Sequence, residues 1–215
     1  MNFNPFAENK NPSVSMFAKE QKKIQATAEA VEDLEAKYGI NEYLGAEMNN
    51  ETFAFFKQLV DQIGEEGVTF LLNRSETTFR DRELTTLDCS YAQITSLPKL
   101  PSGITRLDCN MTQISALPEL PAGLVYLDCG DNLITSLPEL PAGLKILLFY
   151  LTPITSLPEL PSTLEKLNGN SSLISTLPEI PAGLKQLWLN ETPLARNQET
   201  ITALKEKYPA LEIMP

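Results

Sequence analysis

Histidine is absent from the 215-residue chain. Without an imidazole there is no Ser-His-Asp or Cys-His catalytic set, and no histidine-containing zinc site. Cysteine is scarce, with only Cys89, Cys109 and Cys129. An odd number of cysteines, in a chain that opens Met1-Asn2-Phe3-Asn4-Pro5 rather than with a basic and then apolar leader, reads as reduced thiols in a cytosol. Long apolar runs are missing too, and nothing approaches the roughly 18 residues of a membrane span. Basic residues are in deficit, 17 against 28 acidic, giving a net charge of −11. The acids are spread along the chain, 15 of them before residue 84 and 13 after it. A net anionic surface disfavours polyanionic partners, so neither nucleic acid nor a membrane is expected. There is no glycine-rich phosphate loop and no isolated nucleophile, so no enzyme and no cofactor are expected.

What the chain has in abundance is a repeat. From Leu84 onward it recurs every 20 residues without slipping. Leu84, Ile104, Leu124, Leu144, Leu164 and Leu184 form one column; Leu87, Leu107, Leu127, Leu147, Leu167 and Leu187 form the next. Ile94, Ile114, Ile134, Ile154, Ile174 and Leu194 form a third, and Leu97, Leu117, Leu137, Leu157 and Leu177, each followed by proline, a fourth. The unit L-x-x-L-x-C-x-x-N/T-x-I-x-x-L-P-x-L-P-x-G matches, over its first eleven positions, the leucine-rich-repeat pattern, whose short limit is 20 residues.

The pattern has physical consequences. Leu127 and Cys129 alternate with positions 126, 128 and 130, so each unit opens with a short strand. One unit cannot bury its own leucines; stacked units can, as a parallel sheet with strands about 4.8 Å apart. Two prolines per unit forbid a helix on the return limb, which is expected to be extended and polyproline-like. The expected fold is an α+β solenoid, gently curved, with helical caps. Gly103, Gly123, Gly143 and Gly183 precede the strands where the chain turns; Thr163 breaks that column, so its turn should differ. At the ninth position stand Ala92, Thr112, Asn132, Thr152, Ser172 and Thr192. An asparagine there is expected to bond the neighbouring backbone, with hydroxyls as partial substitutes.

Both ends of a leucine stack need cover. Phe17, Ile24, Ala28, Val31 and Leu34 fall at helical spacing, and a second helix is expected from about Asn50 through Phe53, Phe56, Val60 and Ile63 to Gly64. A third apolar run, 68–72, should lead into the first strand. After the stack, residues 198–205 read as a closing helix that ends at Tyr208-Pro209, and Leu211-Glu212-Ile213 as a last extended piece. The expected organisation is a flexible 1–12, a helical cap over 13–83, six repeats over 84–194 and a second cap over 195–215.

Two sets of columns invite a functional reading. The cysteines share an inward column with Phe149, Gly169 and Leu189, where a thiol serves as a small buried hydrophobe. Asp88, Asp108 and Asp128 point to the opposite face, so they cannot assist those thiols, and strand spacing is too wide for one Ca²⁺ to gather all three. No metal site is expected. The outward columns place Tyr126, Ile146, Leu148 and Tyr150 together, with Arg106, Asp108 and Asp128 beside them and Trp188 two strands on. Contiguous apolar and aromatic side chains on a surface mark a protein interface. These eight residues are the candidate protein-binding site on the concave face, and the Glu119, Glu139, Glu159 and Glu179 ladder of the limb keeps that side soluble.

The Leu-Pro-Glu-Leu-Pro limb at a strict 20-residue period resembles the repeats of secreted bacterial effectors, the YopM-like and IpaH-like proteins, which also place helices before the first repeat. The resemblance covers residues 84–194 closely and the N-terminal helices loosely. It implies a virulence protein delivered by a specialised secretion system into the host cytoplasm, where the repeats bind a host protein. IpaH-like members add a ubiquitin-ligase domain with a nucleophilic cysteine; no cysteine follows Cys129 here, so that activity has no residue to rest on. The alternative is a cytoplasmic structural repeat protein whose apolar patch is a homotypic contact, making a homo-oligomer.

Overall fold

A computed structural model describes residues 49–72, 77–80 and 83–214. The expected flexible 1–12 and the helix built on Phe17 to Leu34 lie outside the described residues. The first described element is α1 (Asn50–Leu72), broken at Gly64, whose φ of 67° takes the backbone out of the helix. That is the left-handed conformation glycine adopts without penalty, so the expected stop at Gly64 is real, but the chain starts a second helical stretch after it. The run 68–72 is therefore helical, not the approach to a strand, with Val68 and Leu71 buried. Hydrogen bonds tie α1 to the first repeat. The Leu84 N–H donates to Thr52 Oγ1 (3.2 Å), the Ser96 hydroxyl to Gln62 Oε1 (3.1 Å) and the Ser102 hydroxyl to Glu51 Oε2 (2.7 Å).

Next comes one eight-stranded sheet in sequence order: β1 (Thr78–Arg80), β2 (Glu83–Asp88), β3 (Arg106–Asp108), β4 (Tyr126–Asp128), β5 (Ile146–Leu148), β6 (Lys166–Asn168), β7 (Gln186–Trp188) and β8 (Glu212–Met214). Between β7 and β8 lies α2 (Gln198–Lys207). β2 to β8 run parallel, and the leucine column sets their register: Leu87 pairs Leu107, Leu107 pairs Leu127, and so on to Leu187 with Ile213. β1 is an antiparallel hairpin partner of β2 inside the stretch expected to be helical, so strand pairing covers the first edge of the sheet. At the far edge the expected extended piece is there as β8, which continues the parallel ladder.

The inward columns are sealed. Leu84, Leu87, Ile94, Leu107, Leu127, Leu147, Leu167 and Leu187 are fully buried. The fourth column is looser: Leu97 and Leu137 are buried, whereas Leu117, Leu157 and Leu177 are half-buried. Return limbs carry neither helix nor strand, as two prolines per limb require. Each of the five limbs re-enters the next strand through the same turn, in which a proline carbonyl accepts from the N–H three residues on, as Pro121 O from Leu124 (3.0 Å). The turn at Thr163 does not differ: Pro161 O accepts from Leu164 N–H at 3.0 Å. None of the repeat glycines has a positive φ, so a threonine is admitted, and its hydroxyl bonds Ala142 O (2.7 Å) and Leu144 O (2.9 Å).

The tight turn is elsewhere. Tyr91, Met111, Asp131, Leu151, Ser171 and Glu191, at the eighth position, all have φ between 50° and 62°. Non-glycine residues rarely adopt this conformation. The first five are held there by extension of the sheet ladder past the strand: Tyr91 N–H bonds Asn110 O (3.0 Å), and Asp131 N–H bonds Tyr150 O (2.7 Å). Thr152, Ser172 and Thr192 then return a hydroxyl to the carbonyl three residues back, at 2.6, 2.6 and 2.7 Å. Asn132 reaches the same carbonyl with its amide, Nδ2 donating to Cys129 O (3.2 Å), and also crosses to the preceding repeat, donating to Cys109 O (2.8 Å) and accepting from Ile114 N–H (3.1 Å).

Candidate protein-binding surface

Register places seven of the eight candidate residues together. Arg106, Tyr126 and Ile146 are neighbours in one row across β3, β4 and β5; Asp108, Asp128 and Leu148 are neighbours in the next. Tyr150 follows β5 and lies across Gly130, where an added Cβ would stand 2.4 Å from the ring. The absence of a side chain at residue 130 is what lets the ring lie down. Trp188 is separate: β6, with Lys166 and Asn168, stands between it and β5, and Met214 of β8 is its neighbour on the other side.

This patch is electrostatically organised. The Arg106 guanidinium stacks 3.5 Å above the Tyr126 ring centroid and stands 4.0 Å from Asp108 Oδ2. One amide group, Nδ2 of Asn110, donates to both carboxylates, to Asp108 Oδ1 at 2.7 Å and to Asp128 Oδ2 at 3.3 Å. Asp128 is only 5% exposed. Burial and the neighbouring Asp108 carboxylate push its carboxyl up to about 6, against the Gly130 N–H, which favours the anion. Burial, then Asp128, also raises the phenols of Tyr126 and Tyr150.

The aspartate row also has a structural task that its columns alone did not reveal. Each carboxylate accepts the backbone N–H two residues on: Asp88 from Ser90 (3.0 Å), Asp108 from Asn110 (3.3 Å), Asp128 from Gly130 (3.0 Å). Asn168 does the same for Asn170 at 3.0 Å. Such a bond satisfies the backbone where the strand ends, which is why Asp and Asn recur at the fifth position. The cysteines lie on the other face, fully buried and not bridged by a disulfide, each thiol directed at the carbonyl of the next strand at 3.4 Å. Their column makes room for Phe149 by leaving Gly169 bare.

Tyr126, Ile146, Leu148, Tyr150 and Trp188 are all half-buried. The large apolar side chains most open to water are elsewhere. Tyr91 (62%), Leu133 (60%), Leu151 (52%), Leu173 (52%) and Met111 (42%) sit at the eighth and tenth positions, on the turn that follows each strand. The repeat pattern leaves both positions unspecified, and that was the available signal: apolar residues stand where the scaffold does not ask for them.

No family model and no curated protein matches the sequence. Among solved structures, the chain is similar to a leucine-rich-repeat domain of a Shigella effector, with 21% identity over 76% of this chain and 96% of that one, and a TM-score of 0.54. It is also similar to YopM from Yersinia enterocolitica (28% identity, 54% of this chain and 35% of that one, TM-score 0.41). YopM from Yersinia pestis, a leucine-rich effector protein, gives 21% identity over 75% of this chain and 54% of that one, with a TM-score of 0.49. The chain thus spans about a third and about half of the two YopM chains. With the sheet order, the register and the Shigella domain in agreement, the fold of this chain is that of a leucine-rich-repeat solenoid.

Proposed function

We propose that this chain is a protein-interaction scaffold of the bacterial-effector type, which captures a host protein on the outer face of its sheet, the concave face in the sequence reading. The observation that carries the proposal is the in-register patch on β3–β5, where Tyr126, Ile146, Leu148 and Tyr150 adjoin Arg106, Asp108 and Asp128. The inward leucines fix the scaffold, so Tyr126, Ile146 and Leu148 are free to vary with the partner, whereas Asp108 and Asp128 also tie down strand ends. Apolar area drives association at about 25 cal/mol per Å² removed from water, before ordering costs. The carboxylates steer a basic surface into place, and that share weakens with salt. Trp188 provides a second contact two strands along. Likeness to effector domains supports delivery into a host cell, and a translocation reporter fused to the chain tests that separately.

Affinity capture from eukaryotic lysate is the test of the patch. Leu148→Ser with Tyr150→Ser should leave the melting temperature nearly unchanged and abolish capture of a specific protein. Retained capture in that variant, together with loss when Glu139 and Glu159 are changed, would move the site to the return limb. A wild-type dimer in light scattering that the double variant makes monomeric would favour the homotypic reading.

A further inference from the structure

Of the six large apolar side chains most open to water among the described residues, five share one edge of the solenoid. They supply one residue per turn in five consecutive repeats: Tyr91, Met111, Leu133, Leu151 and Leu173. Stacking aligns these turns, so the five side chains form a ridge along the stack, in two adjacent columns. At about 4.8 Å per repeat the ridge is about 20 Å long. The backbone beneath it is fixed, because the eighth residue of each turn is held at positive φ by a ladder bond to the next repeat. A partner therefore meets an apolar surface already ordered, at little entropic cost.

We propose that this ridge is a second docking surface, distinct from the patch on β3–β5, and that its occupant is a basic amphipathic α-helix of another protein lying along the stack. Spacing favours a helix. Successive turns of an α-helix are 5.4 Å apart, close to the repeat spacing, whereas same-face residues of a strand recur only every 6.4–6.8 Å. An apolar stripe at i, i+3, i+4 and i+7 can then offer a side chain at nearly every repeat. Charge favours a basic one. From the seventh to the tenth position of all six repeats there is no lysine or arginine, while Asp131 and Glu191 stand in the ridge columns themselves. The chain as a whole carries −11. A second copy of this chain would bring the same charge to the contact, and that opposes self-association through the edge.

Synthetic peptides of about 14 residues, or four helical turns, test this directly. One has leucine and lysine at helical period; its control has the same composition in strict alternation. The helical-period peptide should bind the full chain, and at least ten-fold more tightly than the alternating one, with affinity falling as salt rises. Leu133→Ser with Leu151→Ser should weaken it at least ten-fold. Val125→Ser, exposed on the opposite edge, is the control for a general loss of surface hydrophobicity and should leave binding unchanged. Equal binding of the two peptides, no binding of either, or binding indifferent to the double serine variant would overturn the proposal. Wild-type self-association abolished by the double variant would also overturn it, assigning the ridge to a second copy.

Discussion

Gly169→Ala is a one-methyl test of how the core accommodates Phe149. The ideal Cβ position at Gly169 lies 2.4 Å from Phe149 Cζ and 2.7 Å from Cε2. Its backbone cannot retreat easily: the Gly169 N–H bonds Trp188 O at 3.0 Å, and its carbonyl accepts both the N–H (3.1 Å) and the hydroxyl (2.6 Å) of Ser172. The ring is fully buried. Overpacking of this kind costs about 1–3 kcal/mol. The φ of Gly169 is outside the left-handed region, so alanine also stabilises by about 0.4–1 kcal/mol through the unfolded chain. The net expectation is a loss of about 1 kcal/mol, and at most about 2.6. It should be read as a lower midpoint in urea at unchanged slope. Phe149→Leu removes the obstructing ring atoms, so the double variant should be more stable than the two single losses together imply, by about 1 kcal/mol or more. A Gly169→Ala midpoint equal to or above wild type, or strict additivity in the cycle, would refute the packing argument.

Three further expectations follow from the site and the core. Asp128 holds its proton more tightly folded than unfolded, so its contribution to stability is present below about pH 4 and lost as pH rises through about 6. Asp128→Asn, which keeps an acceptor for Gly130 as Asn168 does for Asn170, should remove that loss, so its advantage over wild type grows between about pH 4 and pH 6 and holds above that in denaturation curves. Asn132→Ala strands the Ile114 N–H, while Cys109 O keeps the Thr112 hydroxyl at 3.1 Å, and should cost about 1–3 kcal/mol; Asn132→Thr, copying the neighbouring repeats, should cost measurably less. Cys89, Cys109 and Cys129 are buried, and burial raises the Cys109 and Cys129 thiols, so a thiol reagent should react slowly with the native chain and count three after denaturation.

The leucine columns made most of the fold legible, because stacking identical units admits only one register. Leu87, Leu107 and Leu127 pair as their spacing required. Departures occurred where backbone bonding, which side-chain patterns do not display, decides the conformation. Glycine before each strand looked like the tight turn, yet the positive φ belongs to Tyr91, Met111 and Leu151, held by ladder bonds to the next repeat. Antiparallel β1 was invisible because a three-residue strand carries no periodicity, and the helical run 68–72 because a short apolar segment fits helix and strand alike. On the candidate site, alternation placed Tyr126, Ile146, Leu148 and Tyr150 on one face. It could not show that Asp88, Asp108 and Asp128 each tie down a strand end, or that Gly130 lets Tyr150 fold flat over the sheet.

Hydroxyl-radical footprinting of the chain with a captured protein tests, at side-chain level, whether the outer face of β3–β5 is where a partner binds. Tyr126, Tyr150 and Trp188 report on that face, Tyr91 and Met111 on the turn edge, and Tyr208 on the C-terminal end. Protection of Tyr126 and Tyr150, with Tyr91, Met111 and Tyr208 labelled as in the free chain, is the expected result. Unchanged labelling of Tyr126 and Tyr150 beside protection elsewhere would contradict it.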